Sequence, residues 1–113
     1  MNFIIKLIIS SLVAFALSKI LPGIHLQGFT AAVILAVVLA FFNAIIKPIL
    51  IIFTLPITIF TLGLFLFVIN AFIILVADKL LDNFQVDGFW WALLFSVLLS
   101  FASSVLYSLG KKE

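Results

Sequence analysis

Residues 30–46 read TAAVILAVVLAFFNAII, a run of seventeen residues without a charge that ends at Lys47 and Pro48. In a helix, about 20 predominantly apolar residues cross a hydrocarbon core roughly 30 Å thick. Because the run is close to that length and is bounded by a lysine, it predicts a transmembrane helix.

The rest of the chain has the same character. Hydrophobic residues make up 67% of the 113 residues and charged residues 9%, against about 45–50% and 25% in soluble domains. A soluble domain of this size could not bury so much apolar surface, so the composition indicates that the protein lies in a bilayer. The positions of the charges delimit three further spans, at residues 3–21, 57–77 and 89–109. Residues 1–113 are therefore predicted to form a single transmembrane domain.

The apolar stretch that follows the second span does not have the length of a single span. Residues 48–77 would make a helix of roughly 45 Å, too long for one upright span. Pro56 lacks an N–H and would free the carbonyl of Ile52. We therefore begin the third span at residue 57 and predict that residues 48–55 form a short interfacial or partly re-entrant helix. Hydroxyls near the break can satisfy freed backbone groups, and they belong to Thr54, Thr58 and Thr61.

Internal similarity emerges when the chain is shifted by 60 residues. When residues 10–44 are laid over residues 70–104, eight positions are identical: Lys19/Lys79, Leu21/Leu81, Gly28/Gly88, Phe29/Phe89, Ala32/Ala92, Val37/Val97, Leu39/Leu99 and Phe41/Phe101. Some matches are expected by chance in apolar sequence, and that explanation stays open. The lysine and Gly-Phe matches favour a duplication. The fold predicted is an all-α membrane protein, a four-transmembrane-helix bundle built from two parallel-repeat helical hairpins, with the short interfacial helix between spans two and three.

Small residues recur every four positions on two of the predicted spans. The second span carries Ala32, Ala36, Ala40 and Ala44, and the fourth carries Ala92, Ser96, Ser100 and Ser104. Small residues at this spacing let helix backbones approach closely in a membrane. They indicate either packing within one bundle or association of copies into a homo-oligomer.

Lysine placement predicts the orientation. With four spans, Lys6, Lys47, Lys111 and Lys112 share one side of the membrane, and Lys19 and Lys79 lie on the other. Lysines are enriched in cytoplasmic loops. Both termini are therefore predicted to be cytoplasmic in a multi-pass protein of the bacterial inner membrane.

We find no constellation that indicates catalysis, a cofactor or a metal. The chain has no cysteine and one histidine, His25, which is too few for a typical zinc site. Asp78 and Asp82 could share a helix face as an acid pair, but Lys79 between them favours ordinary interfacial solvation. Six scattered lysines do not make a nucleic-acid surface, and no small-molecule substrate is indicated. We predict that the protein is not an enzyme and that its partner is the lipid bilayer.

Three polar residues within or beside the spans could carry a function. Asn43 and Lys47 lie one helical turn apart, and Asn70 lies near the middle of the third span. Polar groups inside a membrane are costly and are a default functional hypothesis. A structural role, as interhelical hydrogen bonds and a lysine that reaches the interface, is one interpretation, and the lining of a water path or oligomeric pore is the other.

These residues belong to a motif that resembles a known family. The motif consists of Asn43-Ala44-x-x-Lys47-Pro48-Ile49-Leu50, then Leu55-Pro56-x-Thr58-x-x-Thr61-Leu62-Gly63-Leu64-Phe65, then Ile69-Asn70-Ala71, with Asp87-Gly88-Phe89-Trp90-x-Ala92 before the last span. It is similar to the phage holin family of bacterial proteins with four transmembrane segments, named after mycobacterial examples. Lys47 stands where we expect arginine in many members.

The resemblance implies a bacterial integral inner-membrane protein that is holin-like by family and whose physiological role the sequence does not specify. Holins assemble in the inner membrane and open lesions, so the resemblance also implies an alternative, an oligomeric pore-forming holin or channel. A small membrane transporter or a stress-related scaffold is a further alternative. Against a transporter, the chain lacks a charge near mid-membrane and shows no inverted repeat.

Overall fold

The computed structural model describes residues 2–111, so Lys112, which entered the orientation argument, lies outside the described residues. Over this range the chain forms five helices and two short strands. In chain order they are α1 Phe3–Ile20, β1 Ile24–Leu26, α2 Phe29–Phe53, α3 Leu55–Phe60, α4 Phe65–Leu80, β2 Phe84–Val86 and α5 Phe89–Lys111. The predicted, mostly helical architecture is confirmed.

The longer helices pack as a closed ring. α1 lies against α2, α2 against α4, α4 against α5, and α5 against α1. Among the described residues, α1, α2 and α5 are long and apolar enough to cross a membrane. α4 has 16 residues and is about 24 Å long, which makes it shorter than these three.

A two-stranded antiparallel ribbon covers one end of the bundle, where α1 and α4 end and α2 and α5 begin. The strands pair Ile24 with Val86, His25 with Gln85 and Leu26 with Phe84. The pairing is extended on both sides, because Gln27 N–H donates to the Asn83 carbonyl at 3.1 Å and Asp87 N–H donates to the Gly23 carbonyl at 2.9 Å. The purely α-helical prediction was wrong here, since the loops hydrogen-bond to each other.

Each long helix that leaves the ribbon begins at a glycine. Gly28 precedes α2 with φ of +98°, and Gly88 precedes α5 with φ of +143°. Side chains other than hydrogen rarely tolerate such angles. The carbonyls of both glycines accept the first helical hydrogen bonds, from Ala32 and Ala92. This backbone requirement explains why glycine occurs at both positions.

The helix boundaries differ from the predicted spans around the prolines. α2 continues through Pro48 to Phe53, so residues 48–55 do not form a separate helix as predicted. The short helix is α3, at residues 55–60, and the next long helix begins at residue 65 rather than 57. A proline inside a helix removes one hydrogen bond but does not always end the helix, as at Pro48. Pro56 instead occupies the first turn of α3, where a backbone N–H has no intrahelical partner in any case.

The turn between α3 and α4 closes α3 with a left-handed residue. Gly63 N–H donates to the Thr58 carbonyl at 2.8 Å and Leu62 N–H donates to the Ile59 carbonyl at 3.1 Å, the pattern of a Schellman cap. Leu62, with φ of +58°, takes the position that glycine usually fills. The chain therefore reverses within four residues before α4.

The core lies beneath the ribbon. Ile24, Leu35, Phe84 and Phe95 are the largest apolar side chains that are fully buried, and the rings of Phe84 and Phe95 have centroids 5.8 Å apart. These four residues form two pairs separated by 60 positions, one on the strands and one on α2 and α5. The ribbon end of the bundle is thus closed by tightly packed apolar side chains.

Candidate functional site: a polar cavity between three helices

A cavity of about 300 Å³ lies between α1, α2 and α5, towards the end of the bundle opposite the ribbon. Its volume corresponds to roughly ten water molecules in the liquid. Half of its lining side chains are polar: Lys6, Ser10, Asn43, Ser100, Ser103, Ser104 and Tyr107. Polar residues gathered around one cavity in an apolar bundle form the principal candidate site.

Tyr107 ties α5 to α1 at the cavity. Its hydroxyl forms a hydrogen bond with the Ser10 hydroxyl and donates to the Lys6 carbonyl at 3.3 Å. The Lys6 ammonium lies 5.7 Å from the centroid of the Tyr107 ring, within the range of a cation–π interaction. These contacts hold the lysine at the cavity wall.

Ser103 is the unusual group in the lining. The residue is 5% exposed, and its hydroxyl is buried without a hydrogen-bond partner among the described residues. The other buried serines bond to their own helices, Ser11 to the Leu7 carbonyl at 2.7 Å and Ser96 to the Leu93 carbonyl at 2.9 Å. Leaving a buried hydroxyl without a partner costs about 1–3 kcal/mol. The wall of the cavity therefore contains a hydroxyl donor that no described protein group uses.

The cavity ends before it reaches the ribbon. On each of the three helices the lining residue nearest the ribbon is Ala14, Ala36 or Leu99. On the ribbon side of these positions lie Leu35 and Phe95, both fully buried. The polar space is therefore a vestibule closed at its inner end by the apolar core.

The comparison with known proteins identifies the family. A family model described as mycobacterial 4 TMS phage holin, superfamily IV, matches residues 1–105. The chain belongs to this family. The match confirms the resemblance drawn from the sequence motif.

The relatives of this holin-family chain resemble it over most of their length. The uncharacterized membrane protein YvlD of Bacillus subtilis is 41% identical over 97 residues, which cover 85% of this chain and 82% of the relative. The uncharacterized protein SCO3922 of Streptomyces coelicolor is 36% identical over 115 residues, covering 93% and 92%. No solved structure matches the chain. With its long apolar helices, the holin-family chain is a transmembrane protein.

The three polar residues singled out in the holin motif are not brought together. Asn43 is exposed at the cavity, where it contributes to the lining. Lys47 is half-buried on α2 and Asn70 is half-buried on α4, and neither belongs to the lining. The fold therefore provides no water path within one chain that all three residues line.

The small-residue stripes of the holin-family chain change character along their length. Near the ribbon both are buried, at Ala32, Ala36, Ala92 and Ser96. Farther along, Ala40 is half-buried, and the exposed members are Ala44, Ser100 and Ser104. The first part of each stripe packs inside the bundle, and the second part faces the cavity or the outside.

The proline and threonine part of the motif forms the connection from α2 to α4. The Thr54 hydroxyl donates to the Leu50 carbonyl at 2.8 Å and lies 3.5 Å from the Thr58 hydroxyl. The Thr61 hydroxyl accepts from Phe65 N–H at 3.2 Å. The threonine hydroxyls thus hydrogen-bond to backbone groups where the helices end and begin. Pro48 lies inside α2, Pro56 in the first turn of α3 and Gly63 in the turn between α3 and α4.

Asp78, Asp87 and the histidine hydrogen-bond at the ribbon. His25 Nε2 lies 3.0 Å from Asp87 Oδ1, with both side chains about half exposed. Asp78 accepts from Val86 N–H at 3.3 Å, so it holds the second strand rather than forming an acid pair with Asp82. No group of three or more metal-ligating side chains occurs among residues 2–111.

Sequence reasoning missed most of the cavity. Lys6 and Ser10 are four residues apart on α1, and Ser103 and Tyr107 are four apart on α5, so each pair shares a helix face. That spacing was a usable signal. Only the packing of α1 against α5 shows that the two faces meet.

Proposed function

We propose that this holin-family protein is a structural membrane bundle with four spans that is closed to ions as a single chain. The observation that supports it is the inner end of the cavity, where Leu35 and Phe95 are fully buried between the polar vestibule and the ribbon. A hydrophobic plug of this kind opposes the passage of water and ions. The absence of a catalytic constellation in the sequence agrees with a role that is not enzymatic.

The fourth span is proposed for α4 together with the segment before it. Residues 55–64 carry strongly exposed apolar side chains, among them Phe60 at 89% and Leu62 at 93%. Such surfaces favour contact with lipid. Together with the four transmembrane segments in the family description, this supports a crossing by α4 with residues 55–64 at the membrane boundary.

A duplicated hairpin is proposed on three geometric grounds. The ribbon is symmetric about the pair His25 and Gln85, which are 60 residues apart. The hydrogen bonds that flank it are likewise equivalent under that shift. Both glycines at the starts of α2 and α5 have positive φ. These relations support a pseudo-two-fold axis normal to the membrane, as expected for a parallel repeat.

We place the ribbon outside the cytoplasmic membrane and the cavity end in the cytoplasm. Lys6 and Lys47 lie towards the cavity end, and lysine bias favours the cytoplasmic side for that end. The chain has no native cysteine, so single cysteines at Gln27 and Ser108 would report accessibility. Labelling of Ser108→Cys but not Gln27→Cys from outside intact cells would refute this orientation.

An oligomeric pore is the second candidate, because part of the small-residue surface is unoccupied. Ser100 and Ser104 are exposed beside Asn43 at the cavity, and Ala44 is exposed outside its lining. Helices from other copies could pack on such a surface and extend the vestibule into a lesion. This candidate requires the apolar plug to separate or the pore to form between chains.

Membrane potential distinguishes the two candidates. Full-length protein is induced in a bacterial host, its membrane abundance is measured, and a potential-sensitive dye is followed. The closed bundle predicts a sustained potential at high abundance. Sudden depolarisation would contradict it, and loss of that depolarisation in Asn43→Leu but not in Asn70→Leu would assign the pore to the cavity.

A further inference from the structure

We propose that the cavity between α1, α2 and α5 is a binding site for a phosphate group, with Lys6 supplying the charge and Ser103 a buried hydroxyl donor. The site is independent of whether the bundle conducts ions and of which side of the membrane it faces. It rests on the polar and charged residues of the lining and on the Ser103 hydroxyl, which has no partner among the described residues. It also rests on the position of the cavity at the end of the bundle opposite the ribbon.

The charge of the lining favours an anion. Among the described residues, the Lys6 ammonium is the one charged group in the cavity wall, and no carboxylate lines it. A metal cation would need several oxygen ligands with negative charge, which this wall lacks. An ammonium group with hydroxyl donors around it suits a phosphate, since lysine binds phosphate as a point charge.

Ser103 gives the site a second donor. Its hydroxyl is buried in the wall without a partner among the described residues, and a change of its χ1 rotamer would let it donate to a bound phosphate oxygen. Ser104 and Asn43 add exposed polar groups to the lining. Tyr107 holds the lysine in place through its ring and through its hydroxyl bond to the Lys6 carbonyl.

The size and surroundings suit a phosphate attached to a small organic group. About 300 Å³ is the lower end of the range for ligand pockets. Apolar walls from Phe3 and Leu7 lie next to the lysine, as a glycerol backbone with acyl chains would require. A phospholipid headgroup and a free phosphate share the recognised chemistry, and the experiment separates them.

The site occurs once per chain because the two halves differ here. The residues 60 positions after Lys6 and Ser10 are Leu66 and Asn70, and neither lines the cavity. We therefore expect a stoichiometry of one phosphate per chain.

The test uses the single tyrosine of the chain as a reporter. Full-length protein labelled with 3-fluorotyrosine is studied by fluorine NMR in a maltoside detergent, which contains no phosphate. Phosphatidylglycerol, diacylglycerol and inorganic phosphate are titrated separately. A saturable shift of the Tyr107 resonance with phosphatidylglycerol alone identifies a lipid phosphate, and a shift with inorganic phosphate as well identifies a site open to the free anion.

Variants assign the binding to the proposed groups. Lys6→Gln should weaken binding about tenfold, from the loss of one charge-assisted hydrogen bond. Ser103→Ala should weaken it about threefold to tenfold while raising the thermal stability of the empty protein, because the unpartnered hydroxyl is gone. A purely structural serine would not shift binding and stability in opposite directions.

Lys19→Gln is the matched control. Lys19 is also on α1 and lies 5.2 Å from the centroid of the Phe15 ring, but at the ribbon end. Its variant should bind like the unmodified protein. Equal losses in Lys6→Gln and Lys19→Gln, a shift with diacylglycerol, or no saturable shift with any phosphate compound would overturn the proposal.

Discussion

The N-terminal unit, α1–β1–α2, and the C-terminal unit, α4–β2–α5, match at the ribbon and differ at the cavity. At the ribbon, the fully buried Leu35 of the first unit corresponds to the fully buried Phe95 of the second. At the cavity end, Lys6 of α1 corresponds to Leu66 of α4. Packing thus constrains the ribbon end of both units, while the charge of Lys6 at the cavity has no counterpart in the second unit.

A second difference lies just under the ribbon, where large and small residues exchange places. In one half Trp91 packs on Gly23, so closely that an added Cβ would lie 2.2 Å from the ring. At the equivalent place Ala31 faces Asn83, beside a small cavity of about 60 Å³. The two units thus fill comparable space with different side chains.

The largest expected effect tests the shared core. Leu35→Ala and Phe95→Ala should each lower the free energy of unfolding by about 2–5 kcal/mol, because both leave a cavity at an equivalent position. The measurement is unfolding in detergent micelles, followed by helicity. Phe41→Ala and Phe101→Ala, at exposed positions that are also 60 residues apart, are the controls and should change little. A large loss for Phe95→Ala with none for Leu35→Ala would break the equivalence of the two units.

A medium effect tests the exchange of large and small residues. Gly23→Ala should destabilise the fold by about 1–3 kcal/mol, because the new methyl group would overpack against Trp91. Asn83→Ala, at the equivalent position beside the small cavity, is expected to be close to neutral. The same unfolding measurement compares the two. The double variant Gly23→Ala/Trp91→Ala should lose less stability than the sum of the two single variants, because removing the ring also removes the overpacking. A loss equal to that sum would show that the contact between residue 23 and Trp91 is not the cause.

The smallest effect tests the hydrogen-bonded pair of His25 and Asp87 across the ribbon. Asp87→Asn should cost about 0.2–1 kcal/mol, since the pair of His25 and Asp87 is half exposed and surface pairs contribute little. The equivalent pair is Gln85 and Gln27, which carries no charge, so Gln27→Asn should have no measurable effect. Equal effects of the two substitutions would remove this difference between the units.

Sequence reasoning found the helices but not the contacts between distant segments. Long apolar runs predicted helices at residues 3–21 and 89–109, and α1 and α5 occupy nearly the same residues. The ribbon was missed because each strand has three residues, although apolar and polar residues alternate in Ile24-His25-Leu26-Gln27 and Phe84-Gln85-Val86-Asp87. Such short segments show their structure only through pairing across 60 residues.

Neither the helix boundaries near the prolines nor the cavity could be predicted from the local sequence pattern. Pro48 lies inside α2, where the remaining hydrogen bonds of the helix are kept despite a strong local preference against proline. The unpartnered state of Ser103 depends on which helices face it, and the hydropathy of α5 does not contain that information. Membrane sequences are apolar on every face, so periodicity says little about which side points inward.

The unequal lengths of α2 and α4 have a consequence for the surrounding lipid. α2, with 25 residues, is about 37 Å long and α4 about 24 Å. In the proposed four-span arrangement two neighbouring helices of the ring therefore present different lengths to the lipid. Lipid must thin beside α4 or α2 must tilt, each at a cost of fractions of a kcal/mol per Å. We therefore expect a protein with this shape to gather where the bilayer is already thin, and many copies together to deform the membrane around them.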